Sequence, residues 1–397
     1  MLSTEYQNNE TADIILSDIK LHRYSFPLFL HNMKLGAPYL FFFFISIFSC
    51  KKKDEIQKPA SDINSAVDQV PLPTSVPDNS VKYRDTALED VIIAGVTSKC
   101  KTYTAERIQR LNSFDFFYAD DKADIWPGNI VQSSYLRNTG RLVSLGNFPR
   151  ENMNYNIQGT LGSTGFSLPN PSNNTYQAEF DKKSKLFWFM PPAYTYQNVQ
   201  TTYSTQQAFV DLGLNFGFLA GGLGTRFQSI NTNGLTTMYM MVRNVFFTVS
   251  TEYPSNPAGF FGANVNVSDL KRVLTPDNAP AYISSVSYGR VALVRVVSAY
   301  SQKETKTCIE LVLNGFGGSL TTGQRQLVSS LQLTIEAAPG PETALKTLDD
   351  VYKFINNGYQ FNHRTGCVPV GYEARYLKDN SPLITHTALS YKIIECL

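Results

Sequence analysis

Between Ala208 and Ala220 one phase of the chain is apolar throughout. Ala208, Val210, Leu212, Leu214, Phe216, Phe218 and Ala220 occupy it, while Asp211, Gly213, Asn215 and Gly217 fill most of the positions between them. A period of two gives an extended strand one apolar face and one small or polar face; wound into a helix, the same residues scatter round the axis. Five glycines between 213 and 224 add to the effect, each costing a helix interior about 1 kcal/mol relative to Ala. A second stretch, Cys308 to Leu320, carries Ile309, Leu311, Leu313, Phe316 and Leu320 with Gly315, Gly317 and Gly318, in a less regular alternation. One reading makes both stretches half-buried strands or loops of a sandwich. The other makes them amphipathic hairpins that line a barrel with one face to lipid and one to water. Two hairpins do not close a barrel, so the second reading requires many copies of the chain. It also expects Leu212→Asp or Phe216→Asp to abolish membrane leakage while leaving folding intact.

Bulk charge selects no partner. The 397 residues contain 35 Lys+Arg against 33 Asp+Glu, which speaks against a nucleic-acid binder and against an acidic disordered tail. Only 17% of residues are charged, below the roughly 25% of ordinary globular chains, so Ser, Thr and Asn carry much of the polar surface. Aromatic residues are plentiful but lopsided, with 26 Phe and 22 Tyr against 2 Trp.

Catalytic machinery is not legible. His363 and His386 sit in no supporting motif, and there is no H-E-x-x-H, G-x-S-x-G, Walker loop or EF-hand spacing. Gly221-Gly222-Leu223-Gly224 lacks the Lys-Ser/Thr that a phosphate loop requires. No catalytic residue, cofactor or metal is therefore assigned, and the chain is not read as an enzyme. Cys100, Cys308, Cys367 and Cys396 match no zinc spacing, and their three possible disulfide pairings stay open.

The apolar run Pro38–Phe48 is too short to span a bilayer, which takes about 20 residues. With Lys34 before it and Ser49-Cys50 after it, followed by three lysines, it reads as a secretory signal. The boundary resembles a bacterial lipobox, making Cys50 the lipid-attachment residue; the alternative is a cleaved soluble signal in which Cys50 is incidental. On this reading residues 1–32 are an upstream segment with translation starting at Met33, 33–49 the signal, and 50–80 a Lys-, Pro- and Ser-rich flexible tether.

Further on, Tyr239–Ser250 and Ala281–Val297 read as central strands. Val267–Arg272 reads as a short helix capped at Ser268, and Thr347–Asn357 as an amphipathic helix ending at Gly358. The fold class is α+β.

Five stretches carry a family resemblance. The stretch NVFFTVSTEYPSNPAGFF (244–261), then VSDLKR (267–272), then AYISSVSYGRVALVRV (281–296) with its triplet Tyr288-Gly289-Arg290, resembles the central part of the thiol-activated, cholesterol-dependent cytolysins. Upstream, ADIWPGNIVQSSYL (123–136) is similar to the family's aromatic-Pro-Gly segment, and ARYLKDNSPLITHTALSYKI (374–393) resembles its long strand. The resemblance implies an elongated molecule with a central twisted antiparallel sheet flanked by two helical clusters. Subunits of that kind bind a membrane, form a ring, and turn the clusters into transmembrane hairpins.

By position the clusters fall at 203–227 and 300–323, on the two alternating stretches. The core is then partitioned as 81–202, 203–227, 228–299, 300–323 and 324–397. Val210, Leu212, Leu214, Phe216, Phe218, Ile309, Leu311, Leu313 and Phe316 become the membrane-inserting residues, and Tyr288, Gly289 and Arg290 the sheet and oligomerisation signature. The resemblance departs in two places. The family's C-terminal β-sandwich, with its Trp-rich cholesterol loop, has no counterpart before Leu397, so cholesterol binding is not expected and a longer cytolysin-like partner is implied. The family's Gly-Gly bend falls on Ala337-Ala338. The implied function is a ring-forming, pore-forming subunit, exported or surface-anchored; the competing function is a non-lytic lipoprotein or immunity factor that binds or blocks a related toxin.

Overall fold

The computed structural model describes residues 60–73, 77–93, 96–111, 114–115, 122–160, 162–201, 207–208, 211–212, 235–339, 345–356 and 366–396. Cys50, the signal segment, and Val210, Leu214, Phe216 and Phe218 lie outside the described residues.

Helix α1 (Ala60–Asp68) lies inside the stretch that composition assigns to a flexible tether. Ile63, Ala66, Val67 and Val70 recur at helical spacing and are buried, Ile63, Val67 and Val70 in one cluster with Phe260 and Leu270. The Asn64 side-chain oxygen accepts from the Ala258 backbone N–H at 2.9 Å, and Lys378 Nζ donates to the carbonyls of Asp68 (2.6 Å) and Val70 (3.2 Å). The tether reading is therefore corrected over 60–70: four apolar residues on one stripe were diluted by a composition averaged over the whole stretch.

Two antiparallel sheets follow among the described residues. The smaller joins β1 (Ser80–Ile93) and β2 (Val96–Leu111) to the last strand, β12 (Thr385–Cys396). Its register sets Cys100 opposite Cys396; Cys100 is disulfide-bonded, whereas Cys308 and Cys367 are free thiols. The larger sheet begins with β3 (Phe114–Asp115) and β4 (Ile130–Gln132). After helix α2 (Ser133–Thr139) come the hairpin β5 (Met153–Gly159) and β6 (Gly162–Leu168), then α3 (Asn173–Ser184) and β7 (Tyr194–Thr201).

Its centre is made by the two strands that the apolar, β-branched runs predict, β8 (Thr236–Thr251) and β9 (Pro280–Ser298). Between them, α4 (Val267–Val273) is capped by Asn266, whose side chain accepts from the Ser268 N–H at 3.0 Å. The expected cap at Ser268 is thus displaced by two residues, because the capping residue must keep extended backbone and Ser268 is already helical. Helices α5 (Gln302–Leu311) and α6 (Thr322–Ser330) lead to β10 (Gln332–Ala338), and the predicted amphipathic helix is α7 (Leu348–Asn356). Strand β11 (Val368–Tyr376) pairs with β9. The 374–393 block is two strands rather than one. Leu377–Asn380 turns between β11 and β12, with Asn380 in the left-handed region (φ 60°) and the Asp379 carboxylate accepting from the Ser381 N–H at 2.9 Å.

The main core lies where α1, α3 and α4 cover the β5, β8, β9 and β11 end of the large sheet. Trp126, Tyr176, Phe180, Phe247, Phe260, Phe261, Tyr282 and Tyr288 fill it. Aromatic rings here do the work of a thick aliphatic core, since each buries a large area in one rigid unit.

Candidate functional site

At the other end of the large sheet β8 and β9 are apolar on both faces, and each face has a different cover. Met238, Met240, Val242, Ala292, Val294, Val296 and Ala337 pack with Ile309, Val312, Leu313 and Leu320 of the second stretch and with Leu348 and Val351 of α7. The opposite face, with Tyr239, Met241, Val245, Val291, Leu293 and Ala338, packs with Ala208 and Leu212 of the first. The two stretches singled out by their alternation therefore sit on opposite faces of one sheet. Each also joins two strands that are already antiparallel neighbours: the first links β7 to β8, the second β9 to β10. Extending either stretch would lengthen an existing hairpin without changing the strand order.

The holds on the two stretches differ in kind. On the first-stretch face the register places buried Arg295 level with Tyr239 and buried Glu336 level with Leu293. Asp211 forms an ion pair with Arg107 of β2, and its carbonyl accepts from Asn198 Nδ2 at 3.4 Å, so this stretch is tied to both sheets. Beside Arg107, burial pushes the Tyr391 phenol up. Leu212 is 2% exposed, so a charge there would strike the folded state itself. The expectation that Leu212→Asp leaves folding intact is corrected on that ground.

The second stretch is held mainly by apolar contact. Ser301 caps α5 in a reciprocal box with Glu304, and Thr305 Oγ1 donates to Ser298 Oγ at 2.9 Å in the interior. The helix then loosens into a wider turn over Val312–Phe316, where Gly315 takes φ +83°, and a tighter one over Gly317–Ser319. Ile309 and Leu313 are buried, Leu311 is half-buried, and Phe316 is 58% exposed.

The triplet Tyr288-Gly289-Arg290 is interior. Tyr288 stacks on Phe180 (4.4 Å between ring centres) and its hydroxyl meets that of Tyr176 at 3.1 Å; burial pushes both phenols well above their ordinary range. Gly289 lies against the neighbouring strand so closely that a Cβ would stand 1.9 Å from the Asn244 carbonyl oxygen. Arg290 donates to the Phe354 carbonyl at 3.2 Å between the rings of Phe246 and Phe354, and burial pulls its pKa down. Beside it, Asn244 Nδ2 donates to the Ile355 carbonyl at 2.9 Å while Thr195 Oγ1 donates to Asn244 Oδ1 at 2.8 Å. Two groups of the central strands thus hold the carbonyl end of α7. Neither the Asn244 contact nor the Arg107–Asp211 pair was read from sequence. An Asn in phase with Val242 and Phe246 of a central strand was the available signal for the first; the second joins residues over a hundred positions apart and left none.

The family profile of the thiol-activated cytolysins matches residues 174–393. Perfringolysin O of Clostridium perfringens is 22% identical over 280 residues, covering 67% of this chain and 56% of its own length. Streptolysin O of Streptococcus pyogenes is 26% identical over 195 residues, 48% of this chain and 34% of its own. The chain spans about half the length of the curated relatives it matches or less. Among solved structures, the human-specific toxin intermedilysin is similar with a TM-score of 0.67 at 18% identity, over 85% of this chain and 75% of that one. Listeriolysin O gives 0.63 at 19%, over 87% and 74%. At these identities the structures establish the fold: an α+β cytolysin core with an antiparallel sheet.

Proposed function

Because the chain belongs to the thiol-activated cytolysin family, we propose that it is a pore-forming subunit whose copies assemble into a ring on a target bilayer and insert hairpins grown from 203–227 and 300–323. The observation that carries this reading is the double pattern in α5. As a helix, its residues bury Thr305, Cys308 and Ile309. Read with period two, Thr305, Thr307, Ile309, Leu311 and Leu313 share one face, while Glu304, Lys306, Cys308, Glu310, Val312 and Asn314 share the other, a mainly polar face interrupted by Val312. The ten residues of the helix span about 15 Å. Extended, they reach roughly 33 Å, and about 9–11 tilted residues cross a bilayer. Phe316 falls out of phase with Ile309, Leu311 and Leu313, so the inserted strand ends or bulges near Gly315. In the first hairpin Val210, Leu212, Leu214, Phe216 and Phe218 face lipid. Tyr288, Gly289 and Arg290 contribute to assembly indirectly, by fixing the central strands and α7. Export through the 33–49 signal with acylation at Cys50, and a longer cytolysin-like partner that supplies membrane recognition, complete the proposal; cholesterol recognition is not assigned to this chain.

The test is dye release from vesicles by the full chain, alone and mixed with a longer homologue. Thr307 is exposed in the folded chain but faces lipid in the hairpin, so Thr307→Arg should leave the fold unchanged and abolish release. An Arg at the bilayer midplane costs about 2–4 kcal/mol, once for every subunit. Glu310→Arg, on the water face, should retain release. Equal release from both variants would refute the hairpin, and a chain that lowers the homologue's release would be a blocker rather than a subunit.

A further inference from the structure

Strand β1 is the outer strand of the small sheet. It pairs with β2 on one side and, among the described residues, with no strand on the other. An edge of 14 residues is a long row of backbone donors and acceptors open to a further strand. A bulge between Arg84 and Ala87 shifts the phase by one residue. Val81, Tyr83, Leu88 and Asp90 therefore share one face, Tyr83 lying opposite Ala105, while Lys82, Arg84, Ala87 and Glu89 share the other, Lys82 lying opposite Glu106. On the first face Val81, Tyr83 and Leu88 are 46%, 62% and 64% exposed, an apolar strip at the rim of the sheet.

The charges of β1 fall in two blocks of opposite sign. Lys82 and Arg84 precede the bulge, Asp85 lies in it, and Glu89 and Asp90 follow it. Arg84 pairs with Glu106 at 3.0 Å and Asp90 with Lys99 at 2.9 Å, but these pairs are largely exposed. Such pairs contribute little and leave the charges able to serve a further partner. Edge charges and a bulge ordinarily keep other strands away. Their order here admits one partner, a second β1 running antiparallel. With Lys82 opposite the partner's Glu89, the same register sets Tyr83 opposite the partner's Leu88 and Arg84 opposite the partner's Ala87, each pair on a shared face. The one unlike pair is Val81 opposite the partner's Asp90. A parallel partner would instead set each charge block against its own sign.

We infer that β1 is the contact of a two-fold dimer, in which two copies of the chain join their three-stranded sheets edge to edge into one continuous sheet. An isologous contact closes at two copies, so it is not the contact that builds a ring. It uses neither alternating stretch and stands or falls separately from pore formation.

The experiment is sedimentation equilibrium of the full chain without lipid, from about 1 to 200 μM. The mass should rise from monomer to dimer and stop there, and added salt should shift it back toward monomer. Lys82→Glu and Glu89→Lys each set like charges opposite one another at both ends of the ladder, so each alone should weaken association roughly 10-fold or more. An equimolar mixture of the two variants restores an opposite-charge pair at both ends and should dimerise as wild type does. Melting midpoints near that of wild type would show that the folds are intact. Should either charge variant unfold early, Leu88→Ser removes the contact with the partner's Tyr83 and should weaken the dimer in its place. A monomer at every concentration, a dimer indifferent to the substitutions, or a mixture that stays monomeric would overturn the contact. Growth beyond two copies would overturn it in favour of head-to-tail pairing of β1 with the far edge of the next small sheet.

Discussion

Gly289→Ala is the sharpest test of how the two central strands are held. The substituted Cβ would stand 1.9 Å from the Asn244 carbonyl oxygen and 2.9 Å from its carbonyl carbon. Carbon and oxygen approach to roughly 3.3 Å at closest in sheets, so about 1.4 Å must be found. No flexible side chain can yield, because the obstructing atoms are backbone of β8, paired to β9 on either side of the register shift at Val245/Phe247. Moving Asn244 also disturbs its hold on Ile355. Overpacking costs about 1–3 kcal/mol, and a backbone obstacle places this site at or above the upper end. At about 2–4 °C per kcal/mol, the melting temperature should fall by roughly 6–12 °C. Urea denaturation and scanning calorimetry on the full chain would measure it. Gly317→Ala is the control: it has helical backbone (φ −56°) and nothing within 4 Å of its would-be Cβ, so it should be neutral or stabilising by about 0.4–1 kcal/mol. If Gly289→Ala lay within about 0.5 kcal/mol of wild type, the close approach and the role given to the triplet's glycine would both be wrong.

Ile63→Ala, in a helix that composition read as tether, should cost about 2–5 kcal/mol in urea denaturation, whereas a true tether would show no change. Burial pushes the Cys367 thiol up to about 12 from an ordinary value of 9.0, so at pH 8 it should react with a thiol reagent far more slowly in the folded chain than in urea. Burial raises Tyr282 to about 12, and it also raises Tyr155, Tyr176 and Tyr288 well above their ordinary 10.0. Their neutral forms are favoured in the folded state, so this stability is fully present below pH 10 and is lost as pH rises above it. The urea midpoint should fall steeply above pH 10, the tyrosine contribution being flat from pH 7 to 9.

The strands β8 and β9, the helix α7 and the α+β class were legible in sequence because each rests on a local period with enough apolar residues to outweigh its neighbours. Helix α1 was hidden by its Lys-, Ser- and Pro-rich surroundings, and the α4 cap by a competing Ser two residues on. The Leu377–Asn380 turn was lost inside a block matched as one strand, although Asp-Asn-Ser-Pro is a turn signal.

For the candidate site, alternation and glycine content marked out both stretches, since a latent strand pattern is a property of the residue order alone. Where those stretches rest is a matter of packing. That one lies mainly against apolar side chains and the other against a face with buried Arg295 and Glu336, tied to a second sheet through Arg107, depends on which distant strands become neighbours. The sequence by itself determined that 208–220 and 308–320 carry a strand's alternation and that Tyr288-Gly289-Arg290 stands out. Only the tertiary structure decided that Ile309 and Leu313 are buried against the sheet at the start of the second stretch, and that Gly289 is there to admit Asn244. Periodicity is written along the chain, but burial, close approach and charge compensation belong to residues that meet only after folding.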